Sequence, residues 1–291
     1  LASRLSPYLA RGLLSPGRVY HSLINLISSN PNLKKQCASF VRRICWRDYT
    51  YAVTALFPDS CSINSTPIRS GYYNTTNIRT AITHLNEEQQ HRFHCWKHGK
   101  TGYPLVDAGM RQLMQEGYMP QKVRLAVSTC FVEGLGLPWE LGMQHFETHL
   151  VDFDKCINTQ MWMNAGCVGF DPYYVGGEYK RRPYWDDGAQ RNNSKGEYVR
   201  MLVPELDQLP EWVELAEKER GVGVYRVDCL YEPWGVPENV LYEAGVVLGE
   251  TYPIRICNER IERTHFFERM RERRKGMEKD EKGRDLVNVG R

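Results

Sequence analysis

Three residues with complementary chemistry recur at helical spacing between residues 152 and 166. Asp154, Asn158 and Trp162 stand four residues apart, so on a helix they project from one face. That face offers a carboxylate acceptor, an amide that can donate or accept, and a large indole. Such a set could bind a planar heteroaromatic ligand and pass an electron to it. A helix end with one polar stripe and a core tryptophan would have the same pattern.

The elements that must position this face are predicted to be mostly helices. Residues 103–117 are expected to form one, with Pro104 near its start and Gly117 just past its end. Another is expected after Pro138, where a single apolar stripe is formed by Trp139, Met143, Phe146, Leu150 and Phe153. Further helices are predicted over residues 16–29, 36–56, 121–134 and 197–203, and the best strand candidate is residues 222–229.

Two segments without periodicity are predicted to be long loops. Residues 58–80 are rich in Ser, Thr, Asn and Pro, and residues 171–195 mix Pro, Gly, Tyr and basic side chains. Loops of this length are often functional or belong to a partner surface. From residue 259, alternating Arg and Glu predict an exposed helix that runs into a solvated tail. The simplest organisation is one mostly helical domain over residues 1–258 with a charged extension over residues 259–291.

Composition and charge narrow the class of protein. The 291 residues are 42% hydrophobic and 25% charged, as in ordinary soluble globular proteins. No apolar run is long enough to predict a membrane-spanning helix, and the first residue is Leu rather than Met, so further residues are expected upstream. The net charge of +3 lies in the extension, which holds 11 Lys and Arg against 8 Asp and Glu. The body is therefore neutral, and DNA binding is not predicted.

Cysteine and histidine spacing bears on metal and redox chemistry. The nine cysteines are scattered, without the spacing of a metal site or a disulfide framework, which indicates reduced thiols in a reducing intracellular compartment. His91, His94 and His98 share one helix face and could in principle bind a metal. Because no carboxylate or further cysteine is paired with them nearby, a polar helix surface is favoured and no metal site is predicted.

Four blocks, in order along the chain, resemble the FAD-binding helical domain of the photolyase/cryptochrome family. They are Ser3-Arg-Leu-Ser-Pro-Tyr-Leu-Ala-Arg-Gly12, Trp46-Arg-Asp-Tyr49, Gly99-Lys-Thr-Gly-Tyr-Pro-Leu-Val-Asp-Ala-Gly-Met-Arg111 and residues 152–166. The last block looks closest to a plant and algal branch. The resemblance implies a mostly α fold. Family members normally also carry an N-terminal α/β domain that holds an antenna pigment, and no such pattern is present in this chain.

The resemblance implies an FAD site. Its cofactor-binding positions would be Ser3, Leu5, Ser6, Arg47, Arg124, Asp152, Asp154 and Asn158. Ser3 and Ser6 would lie at the phosphates with Arg47 beside them, although serines before a helical run could equally be helix caps. Ala2 stands where the family usually has Thr, which removes one hydroxyl donor.

The resemblance also assigns positions that face the flavin ring. Asn158 would face N5, where an amide can accept a hydrogen bond from a protonated nitrogen. Arg124 and Asp152 match an ion pair against the ring, which could counter negative charge on a reduced flavin, although a purely structural pair would look the same. Asp154 matches a polar contact to the ring or the ribose.

Electron supply to the flavin is implied by two tryptophans. Trp162 corresponds to the family's tryptophan nearest the flavin, and Trp139 to the middle member of the electron-transfer chain. The outer member falls near Asn86, where no Trp or Tyr is found, so an electron hole has no obvious exit to solvent. Both indoles could equally be core packing.

The positions that bind a pyrimidine dimer in the family's repair enzymes are changed. Their substrate-binding Glu, three residues before the Trp of the second block, is Arg43 here. Gln121, Leu125 and Asn164 stand where those enzymes have Asn, Met and Trp, and only Trp46 keeps its type. Losing a carboxylate that bonds the substrate costs on the order of 2–5 kcal/mol. Dimer repair is therefore not expected.

Two functions follow from these patterns. The first is a cryptochrome-like flavoprotein domain that binds FAD and responds to blue light or redox state without repairing DNA. The alternative is a degenerate, non-catalytic family member that has lost FAD and serves as a structural subunit of a larger organellar complex, for example a photosynthetic complex in a plastid. Its partners would be bound through residues 171–195 and 259–291.

Overall fold

The computed structural model describes residues 3–58, 85–166, 196–216 and 224–279. In chain order the helices are α1 (Ser6–Ala10), α2 (Pro16–Ser29), α3 (Lys34–Leu56), α4 (Glu87–Lys97), α5 (Pro104–Glu116), α6 (Gln121–Thr129), α7 (Trp139–His149), α8 (Lys155–Ala165), α9 (Glu197–Leu202), α10 (Glu238–Glu243) and α11 (Glu259–Lys279). A π-helical turn, Cys130–Gly134, extends α6. The mostly α fold predicted from the sequence is confirmed.

Helix ends follow local chemistry in several places. Asn86 begins α4 with a reciprocal capping box, in which its side chain accepts from Gln89 N at 2.8 Å and Gln89 Oε1 accepts from Asn86 N at 3.1 Å. Gly117 ends α5 in the left-handed region at φ 64°, as its position in the sequence predicted. The predicted helix over residues 16–29 is confirmed with the same bounds.

Two predicted elements differ from the structure. The apolar stripe from Trp139 to Phe153 was expected to lie on one helix, but α7 ends at His149. Leu150 adopts an extended conformation, and Val151 N donates to Gly117 O at 2.9 Å, so the chain turns there toward α8. The predicted strand over residues 222–229 is observed as β2 (Val224–Asp228), and it pairs antiparallel with an unpredicted strand, β1 (Trp212–Ala216).

The core is centred on α4 to α8. Four buried aromatic residues on four of these elements meet there, namely Trp96, Phe131, Phe146 and Trp162. Gly142 allows α7 and α8 to pack closely, because a Cβ at this position would overlap the Trp162 ring. Close packing of this kind makes core substitutions costly.

A buried carboxylate holds the start of α5. Asp107 is fully buried and accepts hydrogen bonds from Thr101 N at 2.7 Å, Thr101 Oγ1 at 2.6 Å and Gly102 N at 3.0 Å. Tyr252 donates its hydroxyl to the same carboxylate at 2.7 Å, across 145 residues. Burial raises the pKa of Asp107, while the hydrogen bonds from Thr101 and Tyr252 act in the opposite direction.

The charged extension begins with α11, whose inner side is docked rather than solvated. Arg263 donates to the fully buried Glu133 of the π turn at 3.1 Å, and Arg92 of α4 pairs with Glu262 at 2.9 Å. Phe266 of α11 is buried and belongs to the hydrophobic core. The predicted exposed helix is therefore present, with one face packed.

Several predictions fall on residues that the structure does not describe. They are the loop over residues 58–80 beyond Pro58, the loop over residues 171–195, and the tail after Lys279. None of the described helices is both long and apolar enough to cross a bilayer. Within the described ranges no cysteine forms a disulfide.

Candidate functional site

A tyrosine and a carboxylate connect α3 to α8. Tyr51 donates its hydroxyl to Asp154 Oδ2 at 2.5 Å, and Arg47 lies over the tyrosine ring with Cζ 4.5 Å from its centroid. Asp154 Oδ1 accepts from Ile157 N at 3.1 Å and so caps α8. Burial and the bond to Asp154 raise the pKa of Tyr51 to about 12, which keeps the hydroxyl protonated as a donor.

This arrangement changes the expectation for Asp154. Each carboxylate oxygen already accepts one hydrogen bond within the protein, and each keeps a second lone pair. Asp154 therefore holds Tyr51 and the start of α8 in place, in addition to the ring or ribose contact predicted for it. Tyr51 was not singled out in the sequence, because the bond joins residues 103 apart.

Asn158 lies one turn further along α8 with its amide held in one orientation. Its Nδ2 donates to Met143 O of α7 at 3.1 Å, and the residue is 8% exposed. The carbonyl oxygen Oδ1 is then the end of the amide that remains to accept a hydrogen bond. That orientation is the one required of a residue that accepts from a protonated ring nitrogen.

The predicted ion pair between Arg124 and Asp152 is present. Arg124 Nη2 donates to both carboxylate oxygens, at 3.0 and 2.7 Å, and Arg124 Nε donates to Met119 O at 2.7 Å. The Asp152 side chain is 2% exposed, whereas that of Arg124 is 20% exposed. The buried carboxylate therefore anchors a guanidinium whose outer edge can face a ligand.

The N-terminal serines do not act as the helix caps that the sequence also allowed. The N-cap of α1 is Leu5, and no side chain completes a capping bond there. Ser3 is exposed, and its Oγ accepts from Leu5 N at 3.5 Å, while Ser6 is the first helical residue and is half-buried. The hydroxyl of Ser6 thus has no capping role that would compete with a ligand.

Tyr118 links this N-terminal segment to the ion pair. The guanidinium of Arg4 lies 5.1 Å from the Tyr118 ring centroid and that of Arg124 lies 5.7 Å from it. Arg4 also pairs with Glu116 of α5 at 2.7 Å. The segment predicted at the phosphates and the pair predicted at the ring are therefore neighbours. Apart from its place directly after the Gly117 cap, Tyr118 has no sequence pattern that would have predicted this role.

The two predicted electron carriers have different surroundings. Trp162 is 2% exposed and makes edge-to-face contacts with Phe146 at 5.1 Å, Phe131 at 5.6 Å and Trp96 at 6.2 Å. Trp139 is 4% exposed and packs on Gly166, and among the described residues its ring touches no other aromatic ring. Within the same residues its buried indole nitrogen has no hydrogen-bond partner.

Other residues weighed in the sequence have ordinary surroundings. The rings of His94 and His98 lie 4.2 Å apart, and His98 Nδ1 is 2.8 Å from His94 O. In the part of the chain that the structure describes, no three His, Cys, Asp or Glu side chains could hold a metal ion together. Arg43 and Gln121 are exposed, while Asn164 is buried at 3% exposure.

The residues present fit a flavin. An oriented acceptor (Asn158), a partly exposed guanidinium neutralised from behind (Arg124 with Asp152) and an oxidisable indole (Trp162) lie on α6, α8 and the turn before α8. By the resemblance, Ser3 and Ser6 would lie at the phosphates, with Arg47 on the α3 side and Leu5 as a further cofactor-binding position. Bound there, the cofactor would supply light absorption and one-electron chemistry.

Comparison with known proteins identifies the family of this chain. Residues 40–272 match the family model described as the FAD binding domain of DNA photolyase. The deoxyribodipyrimidine photo-lyase of Agrobacterium fabrum is 32% identical over 261 residues, which are 88% of this chain and 46% of that protein. Cryptochrome-1 of Arabidopsis thaliana is 30% identical over 269 residues, which are 87% of this chain and 33% of that protein.

Solved structures show the same likeness. A class III photolyase from Agrobacterium tumefaciens superimposes with a TM-score of 0.72 at 28% identity, covering 94% of this chain and 50% of that one. The Synechocystis cryptochrome gives 0.69 at 26% identity, with 94% and 48% covered. The chain spans about half the length, or less, of the curated relatives it matches. It belongs to the photolyase/cryptochrome family, of which it contains the FAD-binding domain, and FAD is the cofactor of that domain.

Proposed function

We propose that the chain is the flavin-holding domain of a cryptochrome-like protein that responds to blue light or redox state and does not repair pyrimidine dimers. The observation that carries this proposal is on α8. Trp162 shares a helix face with Asn158, whose amide nitrogen donates to Met143 O, so that among the described residues its carbonyl oxygen is left as an acceptor. An electron donor and an acceptor for a protonated ring nitrogen thus lie one turn apart.

Electrostatics support the storage of an added electron. The Arg124 guanidinium offers positive charge at the site, and the nearly buried Asp152 prevents it from swinging away. The Tyr51 hydroxyl stays protonated and holds α3 against α8, so the two walls of the site keep their separation when the charge changes.

The dimer-binding positions argue against repair. Arg43 places an exposed guanidinium one turn before Trp46 on α3, where a repair enzyme of the family would use a carboxylate. Asn164 is buried and cannot serve as a second stacking platform. Both photolyases and cryptochromes are among the relatives, so the absence of repair is a prediction that must be tested.

The test begins with an absorption spectrum of the purified protein, release and quantitation of its flavin, and anaerobic blue-light reduction. Near-stoichiometric FAD with photoreduction that is lost in Trp162→Phe supports the proposal. Trp212→Phe, which changes an exposed tryptophan on β1, is the matched control and should behave as the parent. A colourless protein, or photoreduction that survives Trp162→Phe, overturns it. Light-dependent repair of a thymine-dimer oligonucleotide would overturn the claim of no repair.

A structural role in a larger assembly is the second candidate. It is favoured by apolar side chains that the described residues leave exposed around α1 to α3, including Leu13 at 76% and Leu56 at 75%. Partner contacts through residues 171–195 and 259–291, and an organellar location such as a plastid, belong to this proposal. A flavin-free chain that co-purifies from its source in a complex of defined stoichiometry would support it, and a FAD-loaded monomer would refute it.

A further inference from the structure

We propose that the outer stripe of α3, defined below, is a docking surface for an acidic amphipathic helix of a partner protein. The inference goes beyond the proposed function, because none of the residues of this stripe belongs to the FAD site. It rests on the exposure, the spacing and the charge of α3 and its neighbours.

The outer stripe of α3 is continuous along the helix. Among the 23 residues of α3, seven recur at alternating intervals of three and four, which places them on one side of the helix. All seven are exposed, namely Lys35, Ala38, Arg42, Cys45, Tyr49, Ala52 and Leu56. The stripe is about 32 Å long at the rise of an α-helix. Intervals of three and four are those of the seam between two packed helices.

The chemistry of the stripe changes from one end to the other. Lys35 and Arg42 lie in the N-terminal half of α3, whereas Tyr49 and Leu56, which are 42% and 75% exposed, lie in the C-terminal half. Three small side chains alternate with these four long ones and would let a second helix approach closely. A partner helix that covers the stripe must therefore be polar at one end and apolar at the other.

The charge around the stripe favours an acidic partner. Residues 3–58 contain eight Lys and Arg and a single acid, Asp48, although the net charge of the whole chain is only +3. Asp48 already pairs with the neighbouring Arg47 at 3.3 Å. Among the described residues, no carboxylate pairs with Lys35 or Arg42. Two copies of the chain would bring two such basic surfaces together, so a partner with carboxylates is favoured over self-association.

A helix fits this surface better than a bilayer or a nucleic acid does. The stripe is one side chain wide and has small residues at its middle, whereas a helix that lies in a bilayer presents a broad apolar face. Phosphate groups would pair with Lys35 and Arg42 but would leave Leu56 uncovered. A helix with carboxylates facing the basic half and apolar side chains facing the other half covers the whole stripe. Antiparallel packing would also bring the negative end of the partner's helix dipole to Lys35.

The test uses a synthetic helical peptide of about 21 residues, the length of the stripe. It carries Glu at the positions that face Lys35 and Arg42 and Leu at those that face Tyr49 and Leu56. Fluorescence anisotropy of the labelled peptide measures its affinity for the full chain. Arg42→Glu should weaken binding about tenfold. A second peptide, with Lys in place of Glu, should bind the Lys35→Glu, Arg42→Glu double variant and not the parent.

Two further variants separate a fitted surface from a general effect of charge. Arg18→Glu reverses an exposed charge on α2 outside the stripe and is the matched control, so its affinity for the acidic peptide should equal that of the parent. Leu56→Ser removes an apolar contact without a change in charge and should also weaken binding. No binding by the parent, equal weakening in Arg42→Glu and Arg18→Glu, or an unchanged affinity in Leu56→Ser overturns the proposal.

The other occupants are tested on the same protein. Phosphatidylserine vesicles or a mixed-sequence oligonucleotide that binds the parent but not Arg42→Glu, while the acidic peptide fails to bind, overturns the proposal. Self-association of the parent that Leu56→Ser abolishes does the same. If Arg42→Glu does not fold, the two peptides on the parent still decide, since equal affinities refute the proposal. Flavin content and photoreduction should be the same in Arg42→Glu and the parent, so the proposed function is tested separately.

Discussion

Glu140 provides a test of how burial controls stability at the start of α7. The residue is 1% exposed, and among the described residues neither carboxylate oxygen has a hydrogen-bond partner. Burial raises its pKa from 4.5 to about 7. Between these values the native side chain holds a proton that the unfolded chain has released. The contribution of Glu140 to the free energy of unfolding is therefore greatest below pH 4.5 and is lost as the pH rises through about 7, and the loss amounts to about 3 kcal/mol.

His145, on the same helix, titrates with the opposite sign. Its pKa is lowered from 6.5 to about 4, so in that window the unfolded chain holds a proton that the native imidazole lacks. The resulting stabilisation is complete above pH 6.5 and is lost as the pH falls toward 4. In the parent the two titrations largely offset one another, and removing Glu140 should uncover the effect of His145.

Urea unfolding of the parent and of Glu140→Gln, at intervals from about pH 5 to about pH 8, measures this directly. Relative to the parent, the variant's free energy of unfolding should increase by about 3 kcal/mol across that range, since the amide does not ionise. Glu147→Gln, which changes an exposed carboxylate of the same helix, should show no such trend. A difference between Glu140→Gln and the parent that does not vary with pH would refute the reasoning.

Three further predictions concern the elements that hold the site. Arg124→Met should lower the free energy of unfolding by about 3 kcal/mol and weaken flavin binding, because it leaves the buried Asp152 carboxylate without its partner. Urea unfolding measures the stability and flavin titration measures the affinity. An unchanged flavin affinity would contradict the placement of this ion pair at the cofactor. Gly142→Ala should lower the free energy of unfolding by about 1–3 kcal/mol, because the added methyl group would overlap the Trp162 ring. Gly17→Ala on α2 is the control, and it should leave stability unchanged or raise it because there is room for the added carbon. Equal melting temperatures for the two variants would argue against the close packing at Gly142. Asp107→Asn should lower the free energy of unfolding by about 3 kcal/mol, because an amide cannot accept hydrogen bonds from all the donors around this side chain. Thermal unfolding measures the loss. Asp48→Asn, at an exposed aspartate on α3, is the control.

Local sequence patterns were sufficient for much of the fold. The helix over residues 16–29, the Gly117 cap and the common α8 face of Asn158 and Trp162 follow from turns, caps and periodicity that involve residues no more than a few positions apart. Asp154 was predicted on the same face, but it lies just before α8 with an extended backbone and caps the helix. The family was recognised from motif blocks, and the Arg124–Asp152 ion pair that the resemblance implied is present.

Contacts between distant segments could not be read in the same way. The Tyr51–Asp154 bond, the Met143 carbonyl that orients Asn158 and the Trp96–Trp162 contact all depend on how helices pack. Packing also ends the helix that begins at Trp139, because Val151 N donates to Gly117 O instead of continuing the hydrogen bonds of α7 beyond His149. Residue types and short spacings express local preference, whereas the partner of a side chain across the core depends on the shapes of several elements at once.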